Sequence, residues 1–319
     1  MYKRQEIVTA TATATSTHAR VPFGASLMAC LAGLTWSFGA VTAKNSHHAD
    51  AWQYLIWRSI GIMVVVEIVG LARGKGWTLP KAFTSGKPML LGCASLFLAS
   101  IGFVYALKTT TGANAAFLSS IVPLIAVILA RIFLGERLTR ITIAAIALAL
   151  VGLAVMVLSD LSAGNMAGNM AAIGSAFGFA VYTVCVRSDP ERDWSPALPG
   201  YAALMILVCG IVTVSNGNTL LPPARDTSFA LLHGAVFIVV GTTLFNAASR
   251  TVPAVAMTIF AQTETVFVPI WVFLFVGEKP KVTTLLGGLI ILTAVIGKGV
   301  LDARPANEHI VEPGPGSIA

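Results

Sequence analysis

ALKTTTGANAAFLSSIVPLIAVILARIFLGERLT, residues 106–139, and ASRTVPAVAMTIFAQTETVFVPIWVFLFVGEKPK, residues 248–281, are two versions of one pattern. Each runs from a short basic turn through a long apolar helix to a Gly-Glu-basic turn. A shift of 142 residues lays Lys108 on Arg250, Gly135 on Gly277 and Glu136 on Glu278. Any two apolar helices align somehow, but these two agree at both flanking turns as well. The chain reads as an internal duplication.

A bilayer core takes about 20 apolar residues per helix. Ten windows satisfy that requirement: 24–43, 52–72, 88–107, 112–134, 141–159, 171–187, 199–215, 228–248, 252–275 and 282–301. Five fall in each half. Five is odd, so the second half enters the membrane in the opposite sense, the inverted repeat typical of secondary transporters. The expected fold is an all-α membrane protein of ten transmembrane helices in two inverted five-helix repeats. The repeats span 24–160 and 171–301, between disordered cytoplasmic tails at 1–23 and 302–319.

Composition agrees with this reading. Of the 319 residues, 56% are hydrophobic and 11% charged, against roughly 25% charged in soluble domains. A transmembrane barrel would alternate in short segments instead. The formal charge of +7 is read as cytoplasmic Lys and Arg, and nucleic acid is not an expected partner. Cys30, Cys93, Cys185 and Cys209 form no CxxC pair and read as small hydrophobes, with no metal or cofactor expected. The N-terminus has no apolar region ahead of a cleavage site, so no signal peptide is expected.

Even-numbered loops, counted from the first helix, carry Arg73, Lys75, Lys81, Lys87, Arg131, Arg137, Arg140, Arg187, Arg192 and Arg250. Odd-numbered loops carry Lys44, Lys108, Arg225, Lys279 and Lys281. The bias puts the even loops and both termini in the cytoplasm, with the two lysines of GEKPKV running against it. Trp52, Trp57, Trp77 and Trp271 lie near the window boundaries and read as interfacial belt residues.

The sequence resembles the drug/metabolite transporter superfamily, in its EamA-type branch of ten helices and two EamA domains. The two stretches quoted first carry most of the resemblance, with GLTWSFGAVTAK (33–44) and WRSIGIMVVV (57–66) as first- and second-helix signatures. It covers about 24–301. The resemblance implies a carrier in the bacterial plasma membrane, commonly an exporter of amino acids or other small metabolites, with the substrate left open. The family often has Glu-Pro in the ninth helix. Here Glu264 is present, but Thr265 stands in place of the proline and Pro269 follows four residues later. That displacement implies a bend one turn from the usual position.

Charges at membrane depth are costly, about 2.5–3.5 kcal/mol for an acidic residue at a helix centre, and so face the interior. Glu264 lies near the middle of its window. It reads either as a proton or substrate-amine site or as a hydrogen-bonded brace of the ninth helix. Arg58 reads as an anion ligand, a partner of Glu264, or an interfacial anchor. His233 reads as a proton-handling or a merely hydrogen-bonded imidazole. Trp36, Phe38, Asn114, Ser119, Ser120, Tyr182, Asn246 and Gln262 are the remaining candidates for a pocket suited to a small organic solute. Pro123 and Pro269 are the expected helix bends.

A secondary carrier working by alternating access, by export or proton-linked exchange, is therefore the leading expectation. No GxxxxGK[ST] loop is present, so nucleotide hydrolysis is not expected. A passive channel is the alternative, although no helix supplies a ring of like charge. An intramembrane enzyme is the weaker alternative, because HExxH, GxSxG and clustered His or Cys are absent. The expected partners are a small-molecule substrate and the lipid bilayer, with the chain a monomer or homodimer.

Overall fold

The computed structural model describes residues 22–109, 115, 118, 119, 121–136, 139–157, 166–277 and 282–303. All regular structure among them is helical. In chain order the helices are α1 (Phe23–Asn45), α2 (Ala51–Ala72), α3 (Leu79–Thr84), α4 (Lys87–Thr109), α5 (Val122–Phe133), α6 (Arg140–Val157), α7 (Met166–Ser188) and α8 (Ala197–Ser215). They are followed by α9 (Ala224–Ala248), α10 (Ala254–Val276) and α11 (Val282–Ala303).

Among the described residues, seven helices, α1, α2, α4, α7, α8, α9 and α10, are long and apolar enough to cross a membrane. Shorter apolar helices occupy Val122–Phe133, Arg140–Gly152 and Leu285–Lys298. The chain is a multi-pass membrane protein, and its many exposed Leu, Ile, Val and Phe side chains are what a lipid-facing surface requires.

Local sequence accounts for the boundaries. Asp50 and Gln53 form a capping box on α2: Asp50 Oδ1 accepts from the Gln53 amide at 2.8 Å and Gln53 Oε1 from the Asp50 amide at 3.1 Å. Pro223 and Pro253 stand immediately before α9 and α10, and Pro123 lies in the first turn of α5. Each sits where the missing N–H would have no helical acceptor. Gly135 and Gly277, equivalent in the duplication, both take a left-handed φ (63° and 80°) and end α5 and α10. The glycines of the two quoted Gly-Glu pairs are thus helix caps.

Helix α4 packs along α7, α6 along α11, and α2 along α8. Helix α1 lies against α9 and the later part of α10. Small residues permit the close contacts: a Cβ on Gly178 of α7 would come within 2.7 Å of the Ser95 carbonyl of α4. At one bundle end, Glu136 Oε1 accepts the Ala254 amide at 3.1 Å and faces Arg187 Nε at 3.6 Å, tying α5 and α7 to the start of α10. At the other end, buried Asp226 accepts the amides of His48 and Ala49 at 2.7 and 2.8 Å. There Lys108 Nζ also donates to the carbonyls of Ser46 and Ala49 at 2.8 and 3.1 Å.

Candidate functional site

The site is organised by a break in α10. The helix consists of two pieces, Ala254–Ala261 and Thr263–Val276, separated at Gln262. Nearby side chains favour the break: Thr258 Oγ1 donates to the Val255 carbonyl and Thr263 Oγ1 to that of Phe260, both at 2.7 Å. The Gln262 amide turns to the carbonyl three residues back, that of Ile259, at 3.1 Å. Hydroxyls bound to nearby carbonyls compete with the regular ladder. Pro269, where the proline signal pointed, lies inside the continuous second piece. Helix α1 backs the break closely, since a Cβ on Gly33 would lie 2.8 Å from the Ala261 carbonyl oxygen. The second piece begins with Thr263, so Glu264 occupies its first turn, where the helix dipole favours an anion.

Glu264 opens into a cavity of about 180 Å³ bounded by α1, α2, α4, α5, α7, α8, α9 and α10. One water needs roughly 10–15 Å³, so the cavity has room for water or solute. Arg58, Trp36, Ser119, His233 and Gln262 line it as well, so six of the sequence candidates converge here. Arg58 is only 2% exposed and donates through Nη2 to Ser100 Oγ, while its Nε has no hydrogen-bond partner among the described residues. No ion pair joins Arg58 to Glu264, and among the described residues the Glu264 carboxylate makes neither a hydrogen bond nor an ion pair.

His233 begins a π-helical stretch, His233–Ile238, within α9. Its Nδ1 meets Tyr54 Oη at 2.8 Å, and that hydroxyl meets Thr42 Oγ1 at 2.9 Å. A Cβ on Gly39 would lie 2.5 Å from His233 Nε2. The imidazole is thereby held in the wall from both sides.

The remaining candidates lie elsewhere. Phe38 stacks on Phe237 and Trp271, with ring centroids 5.1 and 4.7 Å away. Tyr182 is fully buried and donates to Asn246 Oδ1 at 2.7 Å. It packs with Phe245, which joins the cavity-lining Trp36 and Phe179 in an aromatic cluster. Asn114 and Ser120 lie outside the described residues. Trp271 is not an interfacial belt residue: its indole N–H donates to Ser37 Oγ at 2.8 Å, which satisfies it inside the bundle. Glu67 accepts from the Thr78 and Leu79 amides at 2.8 and 2.6 Å and serves as a structural cap near α3.

Sequence reasoning missed Ser100, Thr242, Thr258, Ser175 and Tyr201, all of which line the cavity. Isolated hydroxyls inside apolar helices carry no distinctive signal. Ser100 and Thr242 were nevertheless within reach, because they stand 142 residues apart, the spacing of the duplication.

The EamA-like transporter family model matches residues 23–158 and again 166–298. The chain belongs to the EamA-like transporter family. Its sequence is also similar to the pseudopaline exporter CntI of Pseudomonas aeruginosa, 27% identical over 85% of this chain and 94% of that protein. The uncharacterized transporter YetK of Bacillus subtilis is 26% identical over 67% of this chain and 69% of its own length. A solved crystal structure covers 88% of this chain and 99% of its own with a TM-score of 0.74, at 18% identity, a likeness of fold. The family and both relatives are named as transporters.

The two EamA-matched segments meet at the cavity. Four pairs of lining residues are related by the 142-residue shift: Leu96 and Ile238, Ser100 and Thr242, Ser119 and Ala261, Val122 and Glu264. The first three pairs resemble each other in size. The last sets a carboxylate against a valine, and Arg58 likewise corresponds to Gly200. Shape follows the repeat, whereas charge departs from it.

Proposed function

We propose that this chain is a secondary transporter that carries a small organic metabolite, an amino acid or similar, across the bacterial plasma membrane. It works by alternating access between two inverted five-helix repeats, 24–160 and 171–301, and both termini are cytoplasmic. Transport is export or proton-linked exchange. The carrying observation is one cavity in which Arg58 and Glu264 are both present and are not paired with each other. A solute bearing a carboxylate and an amine complements both, because each charge gains a charged hydrogen-bond partner that the protein withholds.

Helix packing supports the two-repeat reading. Under the 142-residue shift α1, α2, α4, α5 and α6 correspond to α7, α8, α9, the later part of α10, and α11. The shift exchanges the α4–α7 contact with the α9–α1 contact, and the α5–α7 contact with the α10–α1 contact. The α2–α8 and α6–α11 contacts map onto themselves. A pseudo-two-fold of this kind puts a shared site on its axis. The relative named as a pseudopaline exporter supports outward transport of an organic solute.

The test is reconstitution of the full chain in proteoliposomes against a metabolite panel. Saturable uptake accelerated by solute on the opposite side supports the carrier. Non-saturating flux supports a channel, and a chemically altered product supports an enzyme.

A further inference from the structure

A second concavity, of about 240 Å³, opens where α2 ends, α8 begins and α9 ends. Its lining is basic: Arg73, Lys75, Arg192 and Arg250 face one carboxylate, that of Asp193. Two of the four cations already have carboxylate partners. Lys75 Nζ is 2.6 Å from Asp193, and Arg192 Nε is 2.8 Å from Asp189. Burial disfavours the Asp193 charge, but bonds from Lys75 and Ser195 outweigh it and hold that carboxyl at about 2. Asp193 is therefore charged, and its pair with Lys75 takes up that ammonium. The side chains of Arg73 and Arg250 are exposed and make no hydrogen bond or ion pair among the described residues.

The same concavity is apolar on the side that turns outward. Val69 of α2 lines it and is 39% exposed. On α9, Val236 and Val240 flank the lining residue Val239 and are also exposed. Trp77, exposed beside the lining residue Thr78, marks an interfacial level. In a chain that spans a membrane, such valines meet acyl chains. Two unpaired guanidiniums thus stand at the edge of a lipid-facing groove, the arrangement that recognises phosphate headgroups.

We propose that this basin is a binding site for an anionic phospholipid, its headgroup phosphate held by Arg73 and Arg250 and its acyl chains lying along Val69, Val236 and Val240. The site is separate from the Arg58–Glu264 cavity and does not depend on what that cavity carries. A lipid is favoured over free phosphate because the apolar wall continues from the basic one.

Native mass spectrometry of the full chain, titrated with phosphatidylglycerol or phosphatidylcholine, tests the proposal. The expected result is one retained phosphatidylglycerol not displaced by inorganic phosphate. The double substitution Arg73→Gln/Arg250→Gln should weaken it about thirtyfold, the effect of two surface charges. Arg131→Gln, an exposed cation on α5, should leave retention unchanged. Equal retention by the double variant, an equal loss in Arg131→Gln, or displacement by inorganic phosphate alone would each overturn the proposal. So would equal retention of phosphatidylcholine. Unchanged helical circular dichroism in each variant makes the readings comparable.

Discussion

The backbone carbonyl of Arg58 lies directly against Gly234, so close that any Cβ at position 234 would overlap it. Helix α9 therefore rests on α2 at the residue that supplies the cavity's guanidinium, and the contact is with backbone, which cannot rotate away. Gly234→Ala should lower stability by about 1–3 kcal/mol, the usual cost of overpacking. Gly210→Ala, where nothing lies within 4 Å of the added Cβ, should have no such cost. Thermal melting in detergent reads both. Equal melting temperatures for the two variants would contradict the close packing of α9 on α2.

Arg58 separates a structural from a functional role. A buried guanidinium with an unsatisfied Nε carries a desolvation cost that its bond to Ser100 only partly offsets. If its task is to bind solute, Arg58→Met should leave the melting temperature unchanged or raised, while transport falls by more than about tenfold for loss of a charged hydrogen bond. Arg58→Lys should recover only part of the activity, because an ammonium lacks the planar fork. A fall in melting temperature with transport intact would make Arg58 a packing residue.

Glu264→Gln keeps the shape of the first turn after the break and removes the charge. In proteoliposomes it should abolish the response of transport to a proton gradient. Glu264→Asp should retain a weakened response, because its carboxylate is set back by one methylene. Equal gradient dependence in wild type and Glu264→Gln would assign proton coupling elsewhere. Val122→Glu, at the equivalent place in the first repeat, should not rescue Glu264→Gln if the asymmetry of charge sets the orientation of the solute.

Much of the fold was legible because apolar length and repeat spacing are properties of whole segments. The apolar spans and the correspondence of the two halves register in the sequence over tens of residues. Glu264, Arg58 and His233 stood out because ionisable groups are conspicuous in apolar runs, and their convergence needed only that each face inward. The break at Gln262 was less legible. Proline is the strong sequence signal for a bend, whereas Thr258 and Thr263 act through hydroxyl bonds whose direction depends on rotamers. Residue type alone is what suggests Tyr182 and Phe38 for the pocket. Aromatics serve packing and binding equally well, and only the neighbours Asn246, Phe237 and Trp271 decide between the two roles.

The Thr42–Tyr54–His233 chain supplies the last prediction. Tyr54 is fully buried, and its hydroxyl joins α1 and α2 to the π-helical stretch of α9. Tyr54→Phe removes that hydroxyl and leaves His233 Nδ1 facing an apolar ring, at a cost of about 1–3 kcal/mol for an unsatisfied buried group. Thr42 Oγ1 keeps its bond to the Gly39 carbonyl at 2.8 Å, so the loss should fall mainly on the imidazole. Removing both partners is gentler than removing one. The double variant Tyr54→Phe/His233→Leu should therefore melt closer to wild type than the sum of the two single variants predicts. Additive losses would mean that Tyr54 and His233 contribute independently, and that the imidazole is held by the Gly39 side of the wall instead.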